Sequence, residues 1–249
     1  MNTKEIIAYL DDYLQIRTIS DYGPQGLQVE SDNPAVQRIA LAVDTAPRVI
    51  LAAADWQADM LLVHHGILWR QVERISGPLG HRVRLLMNNH IHLYAAHLAL
   101  DAHPVVGNNA VLAGILGLRN IGWWCDVMGT EIGVIGEVNK PLAEIQLLLD
   151  DSLQTNARVL PYGSENVQNV AIVSGFGADH IAEAKELGAD TLITGETSHA
   201  NFYAAEDYGM NVIFAGHYAT ETAGVRALGT HLSDKFQLET RFFDFPTAM

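Results

Sequence analysis

Three short apolar runs in this sequence end in histidine. Met60–Val63 leads into His64, His65 and Gly66; the run closing at His97 has Asp101 four residues on; the run closing at His217 has Glu221 four residues on. Read as strands of an open α/β sheet, such runs deliver their last residues to the carboxyl edge, where sites form in folds of that class. A histidine leaving a strand and a carboxylate one helical turn later reach the same mouth. Successive residues leaving a strand point in opposite directions, so His64 and His65 suit two different ions. Each set alone has an ordinary explanation, a satisfied histidine pair or a carboxylate favouring a helix N-terminus. Three sets at three equivalent strand ends are hard to explain that way. Together they supply imidazole nitrogen and carboxylate oxygen without sulfur, a donor set for zinc, iron, manganese or cobalt. The expectation is one site for two divalent metal ions, with His64, His65, Asp101, His217 and Glu221 as ligands.

Other residues carry weaker signals. Glu196, after the run Thr191–Thr194, stands where His65 stands in the earlier part of the chain. It is either a group facing the metals, acting as a base or a support, or a helix-start carboxylate. Tyr22, Trp69 and Arg70 are candidate substrate contacts only because they neighbour these motifs. His81, His90, His92, His103, His180, His199 and His231 are expected as solvated surface residues. Trp123 and Trp124 read as a packed apolar patch.

Composition narrows the function classes. The formal charge of −14 and the absence of a Lys/Arg cluster argue against nucleic acid, whose binders gain affinity by releasing counterions to basic groups. An acidic protein can still take an anionic small molecule if metal ions supply local positive charge. The single cysteine, Cys125, excludes an intrachain disulfide and a thiolate-rich zinc site. No window reaches the roughly 18 apolar residues of a spanning helix, and the first residues lack a signal-peptide pattern. The cytoplasm is the expected compartment.

The elements that must position these residues recur twice. Arg38–Asp44 reads as a strand, a helix follows through Asp55, and Ala58-Asp59 precedes the strand that ends at His64. Val170–Ser174, a helix near His180–Leu187, Ala189-Asp190 and Thr191–Thr194 repeat that order. The run to His97 matches the run to His217. We read two related α/β lobes from an internal duplication, residues 1–124 and 125–249, with mainly parallel sheets. Residues 122–160 look like a connector containing a strand over Ile132–Val138 and a helix from near Pro141. Leu238–Phe245 alternates with period two and predicts a strand.

The motifs Ser20–Val29, Val63–Trp69, His97–Asp101, Gly107–Ala110, Thr194–Glu196 and Gly216–Glu221 together resemble the YbgI-type dinuclear metal centre family. These are the Nif-three-like proteins labelled GTP cyclohydrolase I type 2 homologues. The resemblance implies a toroidal homohexamer with metal sites facing an internal cavity, the same five ligands, and Glu221 bridging two ions. It leaves His97 as a further ligand or a proton-transfer group. Some relatives have Asp where this chain has Asn109, so no catalytic role is assigned there. The implied activity is metal-dependent hydrolysis of a nucleotide-like small molecule, with His97 or Glu196 moving protons. A metal store, chaperone or regulatory scaffold would use the same ligands, and an exchangeable water beside the metals separates the two readings.

Overall fold

The computed structural model describes residues 1–70 and 74–247. The chain forms two compact units, Met1–Leu100 with Val225–Phe245, and Asp101–Gly224 with the residues from Pro246. The first contains α1 (Thr3–Tyr13), β1 (Gly26–Val29), β2 (Arg38–Asp44), α2 (Pro47–Asp55), β3 (Met60–His65), α3 (Gly77–Asn88) and β4 (His92–Ala95). Through α4 (Leu98–Asp101) the chain enters the second unit, with α5 (Asn108–Leu116), β5 (Arg119–Val127), β6 (Thr130–Pro141), α6 (Leu142–Leu153) and β7 (Arg158–Pro161). That unit continues through β8 (Asn166–Val173), α7 (Ile181–Glu186), β9 (Thr191–Thr194), α8 (Ala204–Asp207) and β10 (Asn211–Phe214). Then α9 (His217–Phe236) leads back to the first unit, where β11 (Glu239–Phe242) completes the sheet.

The first sheet has the order β1-β4-β3-β2-β11, parallel except for β1 against β4. Its strands are apolar on both faces because helices cover both. Ala40, Ala42, Leu61, Val63, Leu93 and Ala95 pack with Val49, Ile50 and Ala53 of α2 and Leu86 of α3. On the other face, a methyl at Gly229 of α9 would lie 2.0 Å from Leu41 Cδ1, so a larger residue there would force the Leu41 side chain to move. Each fully buried leucine of this sheet contributes about 1.5–3 kcal/mol of transfer free energy. The expected C-terminal strand is β11, which pairs with β2 from Glu239 opposite Arg38 to Phe242 opposite Leu41. That pairing returns the chain end to the first sheet, so the compact units differ from the sequence halves 1–124 and 125–249.

The second sheet has the order β5-β6-β8-β9-β10-β7. Only β8, β9 and β10 run parallel; β5–β6, β6–β8 and β7–β10 are antiparallel. The expectation of mainly parallel sheets therefore holds for the first sheet and is corrected for the second. The cause is local: Met128 and Gly129 both have positive φ (56° and 88°), the backbone of a tight hairpin turn, and fold β5 onto β6. Residues 122–160 hold the expected strand, within β6, and the expected helix, α6, but with most of β5 and with β7 they form part of the sheet rather than a connector. Leu112 and Leu116 of α5 and Ile145 and Leu149 of α6 join Val134, Val138, Val170, Ile172, Ile193 and Ile213 in one core.

The Ala-Asp dipeptides do the same work in both units. Asp59 Oδ2 accepts from the Gln37 and Arg38 amides, each at 2.8 Å, and Asp190 Oδ2 accepts from the Gln168 and Asn169 amides at 2.7 and 3.1 Å. Each carboxylate thus pins the start of the first parallel strand beside the second. Register aligns Met60 with Thr191 and His92 with Asn211, which puts His65 opposite Glu196 in the comparison, as expected. The same register puts His97 at the place of Gly216, one residue before His217. Two of the seven histidines expected on the surface are buried. His92 accepts from the Ser31 amide on Nδ1 and donates from Nε2 to the Asn33 carbonyl, and His103 Nδ1 accepts from the Val105 and Val106 amides.

Candidate metal centre

In the first unit, β3 delivers His64 and His65, and the chain after β4 delivers His97. One ligand nitrogen from each lies within 4.8 Å of the others. Adjacent residues at the end of β3 therefore converge with His97, the His64 and His65 ring centroids standing 4.8 Å apart. Each ring is held by an oxygen on Nδ1. His64 Nδ1 donates to the Ala96 carbonyl, His65 Nδ1 pairs with Asp44 Oδ1 and His97 Nδ1 pairs with Asp21 Oδ1, all at 2.9 Å. A proton fixed on Nδ1 leaves the Nε2 lone pair as the donor, which is how metal-binding histidines are oriented and made more basic.

The loop before β1 braces this arrangement. Asp21 Oδ2 accepts from the Leu98 amide at 2.9 Å, and Gln25 Oε1 accepts from the His97 and Ala99 amides at 3.2 and 3.0 Å. Gln28 Oε1 accepts from the Ile67 and Leu68 amides at 2.7 and 3.2 Å. A methyl at Gly66 would fall 2.2 Å from that amide oxygen, so a side chain there would displace the Gln28 amide from its place. Asp21→Asn and Asp44→Asn should each weaken metal affinity by about 10–100-fold with little change in folding, the usual result of losing such a support. Metal titration beside circular dichroism measures this; unchanged affinity in both variants would remove the supporting role.

In the second unit, β10 is followed by Ala215 and Gly216, and α9 opens with His217. Glu221 sits one turn on, and His217 Nε2 lies 3.0 Å from Glu221 Oε1. Glu196, just past β9, pairs with His217 Nδ1 at 2.9 Å. The geometry therefore places Glu196 behind His217 as its orienting carboxylate. Gly175, at φ +66°, leaves the space in front: a methyl there would lie 2.5 Å from Glu221 Oε1 and 3.4 Å from His217 Nε2. Asp101 is buried, and its Oδ1 accepts from Asn108 Nδ2 at 2.8 Å and Ser174 Oγ at 3.0 Å. Asn109 donates to the Ile132 carbonyl and accepts from the Ser174 amide, which makes it a brace for that network.

The Glu221 hydrogen bond, partly opposed by burial and reinforced by Glu196, raises the His217 pKa from its usual 6.5 to about 9 in the metal-free protein. A raised folded-state pKa gives stability that is complete below 6.5 and lost as pH climbs through 9. Metal-free protein should accordingly show a falling thermal midpoint between pH 6.5 and 9, and Glu221→Gln should flatten that slope. A wild-type midpoint unchanged across this window would contradict the pairing.

The residues fit divalent metal. Bonds of about 2.0–2.2 Å place neighbouring ligand atoms about 3.0–3.5 Å apart, matching the His217–Glu221 separation. The Gly175 space at that pair and the Nδ1 brace on each histidine point the same way. Sequence reading named candidate donors but not Asp21, Asp44, Asn108, Ser174 and Gly175, which hold or border them. Asp21 lies inside the Ser20–Val29 motif, and Asp44 closes β2, so both were marked by position though not by role.

The fold and donor set are those of a mixed α/β protein with two sheets and a side-chain cluster able to hold a metal ion. The family model for Duf34/NIF3 (NGG1p interacting factor 3) matches residues 1–248. The chain is 44% identical over 252 residues to a "GTP cyclohydrolase 1 type 2 homolog" of Pyrococcus abyssi, covering 100% of both chains. A Deinococcus radiodurans protein of the same name is 42% identical over 248 residues, covering 98% of this chain and 94% of its own. Among solved structures, protein ybgI superposes with a TM-score of 0.92 at 34% identity, and a Thermus thermophilus protein with 0.91 at 38% identity; each comparison covers 100% of both chains. This chain belongs to the Duf34/NIF3 family. Among the described residues, no helix is long and apolar enough to cross a membrane.

Proposed function

We propose that the chain binds two divalent metal ions, zinc, iron, manganese or cobalt, through His64, His65, Asp101, His217 and Glu221. In this reading Glu221 would help to hold both ions, and the protein would hydrolyse a nucleotide-like small molecule. The observation that carries the reading is the set of four imidazoles, His64, His65, His97 and His217, each braced at Nδ1 by an oxygen acceptor. When bound, a pair of divalent ions acidifies a water held between them and stabilises developing negative charge. His97, fixed by Asp21, either adds a ligand nitrogen or moves a proton, while Glu196 positions His217. The names of the Pyrococcus and Deinococcus relatives support a purine nucleotide as the first substrate class to test.

The same reading includes a cytoplasmic, ring-shaped homohexamer whose sites face an internal cavity, and two lobes that arose by duplication. The matching roles of Asp59 and Asp190 support the duplication. Purification without added metal or chelator, followed by metal analysis by mass spectrometry, tests the centre. About two ions per chain is the expected result. Wild type that stays metal-free and refuses zinc, manganese and iron on reconstitution would overturn it. Screening nucleotides for ring opening then tests the hydrolase, and tight metal binding without turnover would favour a storage role.

A further inference from the structure

Two aromatic side chains stand at the histidine cluster of the first unit, and the ligand set uses neither. Trp69 is 38% exposed and Tyr22 is 51% exposed, on a chain whose aromatic content is only 8%. Trp69 meets the His97 ring edge-on, with centroids 5.1 Å apart and planes at 88°, and its centroid lies 6.0 Å from that of His65. Tyr22 lies 6.3 Å from His97, tilted by 54°. The Trp69 indole and the Tyr22 backbone are each tied by hydrogen bonds. Trp69 Nε1 donates to the Gly66 carbonyl at 3.1 Å, which ties down the polar edge of the indole. The Tyr22 backbone is pinned on both sides: its carbonyl accepts from the Arg70 amide at 2.8 Å and its amide donates to Asp21 Oδ1 at 2.5 Å.

A small cleft opens between these elements. Asp21, Gln28, His64, Leu68, Trp69 and His97 are among its walls. Its walls therefore combine imidazole with the indole of Trp69. Gly23 helps to shape it: a methyl there would lie 2.4 Å from the Leu68 carbonyl oxygen, so the loop bearing Tyr22 can close on the Trp69 segment only without a side chain. Partly exposed rings on rigid backbone bind planar π-systems at low entropic cost, whereas an exposed ring with no ligand leaves apolar area in water.

We propose that Trp69 and Tyr22 form a stacking platform that selects a planar heteroaromatic ring in the substrate and holds it beside the His64/His65/His97 nitrogens. The proposal deepens the hydrolase reading and rests on it for the role of the metals. It makes the ring, not the phosphate or sugar, the recognised part of the nucleotide. Stacking on one aromatic side chain is sequence-tolerant among bases because every base has a π-face, so this platform discriminates ring from no ring.

The test uses the full chain, both metal-loaded and chelator-treated, and titrates guanosine monophosphate and ribose 5-phosphate by calorimetry. Three variants, Trp69→Leu, Trp69→Phe and Tyr22→Leu, are compared with wild type, and the metal content of each is measured. We expect Trp69→Leu to weaken guanosine monophosphate binding by about tenfold or more, within the range of stacking losses on removing one ring. Trp69→Phe should restore most of it, and ribose 5-phosphate binding should not change in any variant. Equal affinity of wild type and Trp69→Leu for guanosine monophosphate, with metal content intact, would overturn the platform. So would equal losses for both ligands. A chain that takes up no metal would refute the hydrolase reading, and the chelated titrations would still judge the platform on their own.

Discussion

Glu221→Ala is expected to strip at least one divalent ion from each chain and to lower the affinity for the remainder by more than about 100-fold. Removing an outer support alone costs about 10–100-fold, and Glu221 is a proposed direct ligand. Its carboxylate is buried and stands 3.0 Å from His217 Nε2. Truncation also leaves His217 without its largest source of proton affinity, so the imidazole returns toward its ordinary pKa. Glu221→Gln keeps the shape and one oxygen donor while removing the charge, and should fall between wild type and alanine. Metal analysis of the three proteins side by side, with circular dichroism to verify folding, reads the effect. Full metal occupancy in a folded Glu221→Ala variant would remove Glu221 from the ligand set.

The second large effect comes from a residue with no side chain. Gly175→Ala should abolish tight metal binding at the His217/Glu221 pair and destabilise the protein by about 1–3 kcal/mol, the cost of holding an L-residue in a left-handed conformation. Two causes act together. The φ of +66° disfavours any Cβ, and the added carbon would sit 2.5 Å from Glu221 Oε1, pushing the carboxylate from the place where it meets His217. Gly117→Ala separates them. Its φ is +70°, yet a methyl there would meet nothing within 4 Å. That variant should lose comparable stability while keeping its metal. Paired thermal melts and metal analyses decide the matter; a Gly175→Ala protein with normal metal content would show that the space in front of Glu221 is not needed.

The positions of the candidate donors were legible because strand ends in α/β sheets are fixed by hydrophobic pattern, and that pattern is written in the chain. Met60–Val63 is apolar on both faces, so it had to be a buried strand, and its next two residues had to emerge at the sheet edge. The same reasoning placed His217 and, one helical turn later, Glu221. The repeated Ala-Asp was legible as a motif, though its role in pinning neighbouring strand starts was not. Strand direction in the second sheet was misjudged from the same kind of pattern. Apolar alternation does not distinguish a strand that crosses over a helix from one that folds back, and here Met128-Gly129 decided the outcome.

The supports were not legible. Asp21 and Asp44 precede their histidines by 76 and 21 positions, and nothing in the sequence says that those carboxylates meet Nδ1 atoms. Glu196 looked like a base or a support at its strand end, and its distance to His217 Nδ1 favours the support. His92 and His103 looked like surface residues because histidine is polar. They are buried because backbone amides and a carbonyl from neighbouring loops satisfy their ring nitrogens. By itself the sequence determined which histidines and carboxylates stand at strand ends and that strands and helices alternate to present them, since both follow from local periodicity. Only the tertiary structure decided how each donor is oriented and where β11 returns, since hydrogen bonds between residues far apart in sequence depend on register and close approach, which local pattern does not encode.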